Sequence, residues 1–252
     1  MHRPVLMDSH SCFSDFTEAV PDDTIIWRYT SAQRLCELIQ HRRLTLSSLT
    51  SMDDTSEGCL PEGQRHAVHR ELPFALASFD RVASVYARWI FVSCWTEAKE
   101  ESAEHWRSYG PNGCDVVIAS TVGRLRKATT HARKYLISRM TYVSQQENYL
   151  LSNNNGGDLV GPALWKGKER FEWEREIRLV AVAQPPEPNR LESYANTFPP
   201  PRFAIPLDPT ELVHEVRVNR RVTSDQFQGI SKVVANMCSA DVPVTYARVL
   251  PA

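Results

Sequence analysis

The chain has 252 residues, 42% of them hydrophobic and 23% charged, with a formal net charge of −1; this is enough to bury one large core or two small ones. The near-neutral balance supplies no global basic field for nucleic acid or an anionic membrane, and no apolar run reaches the roughly 18 residues that span a bilayer. The N-terminal stretch MHRPVLMDSHSCFSDF has no apolar core of the signal-peptide kind, and Cys12, Cys36, Cys59, Cys94, Cys114 and Cys238 form no CxxC pair, so a cytoplasmic protein with six reduced thiols is expected.

In chain order, residues 1–22 read as a loosely held arm, followed by a single α+β domain over residues 23–252. TIIWRY, Thr24 to Tyr29, reads as a short strand. Ser31 then starts a helix whose apolar stripe is Leu35, Leu38 and Ile39, running to Gln40. Leu44 to Leu46 is a second strand, before a Ser/Asp/Gly loop over residues 47–58. Residues 63–87 read as helical with a break near Pro73. His66 and His69 lie there near Cys59, but without a second clustered pair they make a poor zinc site. WIFVSCW, Trp89 to Trp95, is a continuous apolar run suited to a sheet centre. A helix over Glu100–Tyr109, a turn at Gly110–Gly113 and a buried strand over Asp115–Ala119 follow.

Arg124 to Tyr135 reads as a basic helix, its charges a solvated face or a nucleic-acid contact. Met140 to Ser144 reads as a strand, and the run Ser152-Asn-Asn-Asn-Gly-Gly157 as a flexible loop. From Trp173 to Val180, a period of two places Glu174, Glu176 and Arg178 in one row. The strand runs on to residue 183 and closes at Pro185-Pro186. Two carboxylates about 7 Å apart beside a guanidinium would make a polar site at a sheet edge; the alternative is a helix with Glu172, Arg175 and Glu176 as surface charges. A proline-rich loop over residues 185–201, strands over Val213–Val218 and Val242–Val249, and a helix over Thr223–Cys238 complete the chain. Without regular βαβ alternation or a Gly-rich phosphate loop, the class is α+β with a central mixed or antiparallel sheet and flanking helices.

Four blocks carry candidate chemistry. Arg28, in Trp27-Arg28-Tyr29-Thr30, ends a strand, where a guanidinium either is exposed or grips a phosphate or carboxylate. Asp53, Asp54 and Glu57 form an acidic turn or a hard-cation site. Ser93-Cys94-Trp95-Thr96 lies where a buried strand emerges, with Trp106, Arg107 and Tyr109 after it; these aromatics serve a flat ligand or the core. The Glu174–Glu176–Arg178 row is the fourth.

The order WRYT, DDxxEG, SCWT with WRSYG, then FEWEREIRLV resembles a widespread bacterial family, domain-of-unknown-function family 2971, over roughly residues 24–183. That family looks like a divergent member of the ADP-ribosyltransferase superfamily of the arginine–serine–glutamate type. The resemblance implies an ADP-ribosyltransferase-like fold and NAD as co-substrate. It implies Glu176 as the catalytic glutamate, Glu174 as its helper toward the acceptor, and Arg28 and Ser93 at the cofactor. Tyr29, Trp95, Trp106 and Tyr109 would stack on nicotinamide or adenine. It further implies a protein or nucleic-acid acceptor and an antitoxin or regulatory partner in bacterial conflict, while the residues themselves point to no membrane and no metal. The serine block departs from the superfamily's Ser-Thr-Ser, and DDxxEG has no counterpart there. On fold, Arg28, Ser93 and Glu176 are expected to meet in one cleft. Two other functions compete: a metal-dependent phosphodiesterase using Asp53, Asp54, Glu57 and Glu174, and a non-catalytic binding protein.

Overall fold

The computed structural model describes residues 5–6, 20–52, 54, 57–59, 62–71, 81, 84–110, 113–129, 135–144, 163–184 and 195–249. Its strands are β1 (Val5–Leu6), β2 (Ile25–Thr30), β3 (Arg43–Ser48), β4 (Ile90–Glu97), β5 (Val116–Thr121), β6 (Leu136–Arg139), β7 (Thr141–Val143), β8 (Trp165–Gly167), β9 (Glu176–Gln184), β10 (Arg202–Pro206), β11 (Glu215–Val218) and β12 (Val244–Tyr246). The helices are α1 (Ala32–His41), α2 (Glu62–Glu71), α3 (Ala103–Tyr109), α4 (Val122–Ala128), α5 (Lys168–Phe171), α6 (Pro209–Leu212) and α7 (Ser224–Met237).

The apolar runs become the centre of the sheet because a strand covered on both faces has no use for polar alternation. The main path is β1-β9-β4-β2-β5-β11-β12, with β6 on β9, β3 on β4 and β10 on β3. Neighbours are antiparallel except the parallel pair β11–β12, so the sheet is mixed and the class α+β, as the short scattered strands foretold. On one face Ile26, Phe91, Trp95, Ile118, Ile177 and Leu179 form the main core with Leu35, Leu38 and Ile39 of α1, Leu125 of α4, and Ile230 and Val234 of α7. Each such side chain contributes about 1.5–3 kcal/mol when fully buried. The helices that supply them start on side-chain caps: Ser31 accepts from Arg34 N, Thr121 from Arg124 N, and Thr223 forms a capping box with Gln226. The opposite face carries a smaller cluster around Trp27, Trp106 and Val117.

Several boundaries move. The basic helix expected over residues 124–135 is α4, ending at Ala128. Thr129 Oγ1 turns back onto Leu125 O at 2.7 Å, a local bond that competes with continuing the helix. Its cations are engaged: Arg124 bonds the carbonyls of Thr210 and Val213, Arg126 pairs with Asp22, and Lys127 with Glu211 at 2.8 Å. Part of the arm enters the sheet, because β1 pairs with β9 as an edge strand. The strand expected from Trp173 begins at Glu176. Residues Glu172–Glu174 form a 3-10 turn, closed by Arg175 in the left-handed conformation at φ 44°. The Asn/Gly loop at 152–157, the break at Pro73, Asp53 and Cys12 lie outside the described residues; the five described cysteines are free thiols.

Candidate active-site cleft

Strand pairing decides which side chains meet. Thr96 lies opposite Glu176, Cys94 opposite Arg178, and Trp27 opposite Thr96. Directly opposed residues share a face, so Glu176, Arg178, Cys94, Thr96, Trp27 and, two residues along β2, Tyr29 all point one way. Arg28, Ser93 and Trp95 point the other way. The expected meeting of Arg28, Ser93 and Glu176 in one cleft is therefore corrected: the pleat puts Arg28 and Ser93 across the sheet from the glutamates. There Ser93 Oγ accepts from Arg28 Nη1 at 2.5 Å and from Trp95 Nε1 at 3.1 Å, and the guanidinium sits over the Trp95 ring at 5.6 Å.

The glutamate side holds a buried ionic cluster. Arg178 is fully buried and spends all five N–H donors. Nε goes to Glu176 Oε1 at 2.7 Å, Nη1 to Glu57 Oε2 at 2.7 Å and Ala163 O at 2.8 Å, and Nη2 to Glu57 Oε1 at 2.6 Å and Glu176 Oε2 at 3.3 Å. Lys166, on β8, bridges Glu174 at 2.7 Å, Glu176 at 2.8 Å and Glu57 at 3.4 Å. Three carboxylates against two cations leave this cluster with one excess negative charge. Such a fixed negative field suits a reaction in which positive charge develops.

The two glutamates differ in environment. Burial alone would raise the Glu176 carboxyl, but Arg178 and Lys166 outweigh it and pull it down to about 2. For Glu174 burial wins over Lys166, and its carboxyl is held above the ordinary carboxylate range. The two carboxylates share the Lys166 ammonium, but Glu176 alone also has the Arg178 guanidinium against it, which is why the shifts run in opposite directions. Burial would discharge Lys166, yet Glu176, Glu57 and Glu174 together keep its proton held more tightly than usual. Glu174 also has spare capacity: among the described residues its carboxylate accepts, besides Lys166, only from Tyr109 Oη, at 3.4 Å. The Glu176 amide donates to Tyr142 Oη at 2.7 Å, which fixes the start of β9.

Above the carboxylates opens a cleft of about 250 Å³ whose lining includes Tyr29, Thr96, Tyr109, Phe171, Glu174 and Glu176. Ser102 caps α3 and brings His105, Trp106 and Tyr109 against Tyr29. Tyr29 stacks on His105 with centroids 5.2 Å apart and meets Trp106 edge-on at 5.2 Å, while Trp173 lies 4.9 Å from His105. Burial, then the charges of Glu174 and Glu176, raise the Tyr109 phenol, so it remains a donor at neutral pH. Burial and the adjacent Glu176 push the Cys94 thiol well up, away from nucleophilic use.

Of the residues singled out from sequence, Tyr29, Asp54, Glu57, Tyr109, Glu174 and Glu176 line this cleft. Trp95 borders it but is otherwise core, and Trp106 is buried beneath Tyr29. Glu57, weighed as a cation ligand, is instead clamped by Arg178, and among the described residues no three metal-ligating side chains cluster. Lys166 was missed. It stands in Trp165-Lys-Gly-Lys-Glu-Arg170, where nothing marks one lysine as buried; only its half-apolar strand context could have hinted at it.

No family model matches the chain, and no curated protein matches it. Among solved structures it is similar to Thermus sp. 2.9 DarT in complex with NAD+, at 11% identity and a TM-score of 0.40 over 91% of this chain and 98% of that one. The same DarT in complex with ADP-ribosylated ssDNA gives 11% identity and a TM-score of 0.37, over 92% and 98% of the two chains. At such values the likeness carries no weight for function, and the cleft has to be judged on its own chemistry. Among the described residues no helix is long and apolar enough to cross a membrane.

Proposed function

We propose that this cleft breaks the nicotinamide–ribose bond of NAD and transfers ADP-ribose to a macromolecular acceptor, protein or nucleic acid. The observation that carries the proposal is the split pair Glu174/Glu176, one held above and one far below the ordinary carboxylate range, at the base of an aromatic-lined cleft. Two carboxylates pushed apart in this way mark acid–base division of labour, and the pattern suits glycosidic cleavage through an oxocarbenium-like state.

In the reaction the C1′–N bond breaks and its electron pair neutralises the pyridinium nitrogen, releasing nicotinamide. Glu176, ionised at any physiological pH, stabilises the ribosyl cation left behind. The acceptor's lone pair then forms the new bond to C1′, and its proton passes to Glu174, whose raised pKa and open lone pairs fit a general base. Tyr29, Tyr109 and Phe171 offer ring faces for nicotinamide or adenine. The four sequence blocks that resemble the unknown-function family also support this reading, since Tyr29, Glu57, Tyr109 and the Glu174–Glu176–Arg178 run all arrive at the same place. In this arrangement Arg28 and Ser93 take no part in the cleft.

One observation favours a second reading, a non-catalytic binding protein: every Arg178 donor is satisfied, as in a purely structural ion cluster. Calorimetric titration with NAD, run beside an assay of nicotinamide release with protein, single-stranded DNA and RNA present as acceptors, separates them. Binding with release is expected. Binding without release selects the second reading, and no binding at millimolar NAD overturns both.

A further inference from the structure

Across the sheet from the cleft lies a second cavity, about 50 Å³, where α1, β2, β3 and β10 meet. Four arginines line it, Arg28, Arg34, Arg43 and Arg202, against one carboxylate, Glu37. Glu37 is occupied by Gln33, which donates to it at 2.8 Å. Among the described residues none of the four guanidinium groups lies within ion-pair distance of a carboxylate. Elsewhere the chain pairs its arginines readily: Arg42 with Asp208, Arg126 with Asp22, Arg139 with Glu97 and Arg217 with Glu101 and Glu215.

Arg28 anchors the arrangement. One Nη1 donor goes to Ser93 Oγ and one Nη2 donor to Thr45 O at 3.3 Å, both neutral acceptors. Three of its five N–H groups are left over, two of them on the η nitrogens. Burial lowers its pKa to about 10, and the like charge of Arg34 acts in the same direction. It stays charged at neutral pH, but in surroundings that would favour an anion. Thr30, Thr45 and Ser47 add hydroxyls to the lining.

We infer that this cavity is a binding site for one phosphate group, carried by a small phosphomonoester or by inorganic phosphate. Size and valency select that ligand. At roughly 10–15 Å³ per water, the volume accommodates about four oxygens, the number on one tetrahedral oxyanion. A carboxylate brings two oxygens and one charge, whereas a dianionic phosphate has the oxygens and the charge to engage several arginines at once. The pocket takes one phosphate and opens to solvent past the exposed Arg34, Arg43 and Arg202, so the rest of a phosphomonoester lies outside it; the phosphodiester of a nucleic-acid strand, with one negative charge in place of two, is the poorer fit.

The test is isothermal titration of the full chain at fixed ionic strength with inorganic phosphate, with a sugar phosphomonoester and with hydroxyl-ended single-stranded DNA. Wild-type protein should bind the first two. The exposed pair Arg34→Gln/Arg202→Gln, which leaves the core untouched, should weaken phosphate binding at least 10-fold, and Arg28→Gln by a further 10-fold or more, as losing charged-group hydrogen bonds implies. Because nicotinamide chemistry is not the readout, this result stands or falls apart from the proposed reaction. No phosphate binding, unchanged binding in the Arg34/Arg202 variant, or binding of DNA in preference to phosphate would each overturn the assignment.

Discussion

The two faces of the central sheet treat charge in opposite ways. On the β9 side, Glu57, Glu174, Glu176, Lys166 and Arg178 pair with one another at 2.6–3.4 Å, almost wholly out of water, with one negative charge in excess. On the other side, Arg28, Arg34, Arg43 and Arg202 gather with no carboxylate partner among the described residues. A closed network holds its charges in fixed positions, which is what electrostatic stabilisation of a reaction requires. An open cluster stores repulsion that a ligand can relieve. Buried charge by itself says little about role; the partners decide.

The largest effect should come from breaking the closed network. Arg178→Met leaves the buried Glu57 and Glu176 to Lys166 alone, and about 3–5 kcal/mol of stability should be lost in urea denaturation. Arg28→Met removes a cation bonded only to neutral oxygens and should cost under about 1.5 kcal/mol. Equal losses in the two variants would erase the distinction between the faces.

Acid sharpens the same contrast. With its folded-state pKa pulled to about 2, Glu176 contributes stability that is present above the ordinary glutamate pKa, near 4.5, and lost as pH falls from there through 2. Glu176→Gln should therefore be less stable than wild type at pH 6, with the two converging near pH 2. Glu174 is shifted the other way, so its ionised form is disfavoured by folding and the cost is relieved as pH drops toward its raised pKa. Thermal melts of Glu174→Gln and wild type across pH 4–7 should show a smaller gap than those of Glu176→Gln; a larger one would contradict the assigned shifts.

A smaller effect is expected on catalysis from Glu174. If it takes the acceptor's proton, Glu174→Gln should depress transfer to an acceptor by about 100-fold while sparing nicotinamide release by hydrolysis. Parallel loss of both activities would place Glu174 at the ribose instead.

Much of this was legible in the chain. The apolar runs around Phe91 and Val117 became central strands, because burial on both faces leaves a continuous apolar signature. The caps at Ser31 and Thr223 set helix starts, Glu174, Glu176 and Tyr29 stood out as polar or aromatic residues at strand ends, and Tyr109 as an aromatic at a helix end. What could not be read was parity. Arg28 and Tyr29 are neighbours, and only the register of β2 on β4 says which faces the glutamates. The left-handed turn at Arg175 delays β9, so Glu174 reaches the cleft from a 3-10 turn rather than from the strand. Lys166 was silent because its burial depends on three carboxylates contributed from sequence positions as distant as Glu57. β10 was hidden beyond a proline-rich stretch, its pairing with β3 set by tertiary contact rather than by composition.

The central claim is that the charge on Glu176 stabilises a ribosyl cation. Glu176→Gln keeps the size and most hydrogen-bonding capacity of the side chain and removes the charge. Nicotinamide release from NAD, measured beside calorimetric NAD binding in the same preparation, should fall on the order of 100- to 1000-fold, about 3–4 kcal/mol of transition-state stabilisation, with NAD affinity changed far less. Release by Glu176→Gln at the wild-type rate, with NAD still bound, would contradict it.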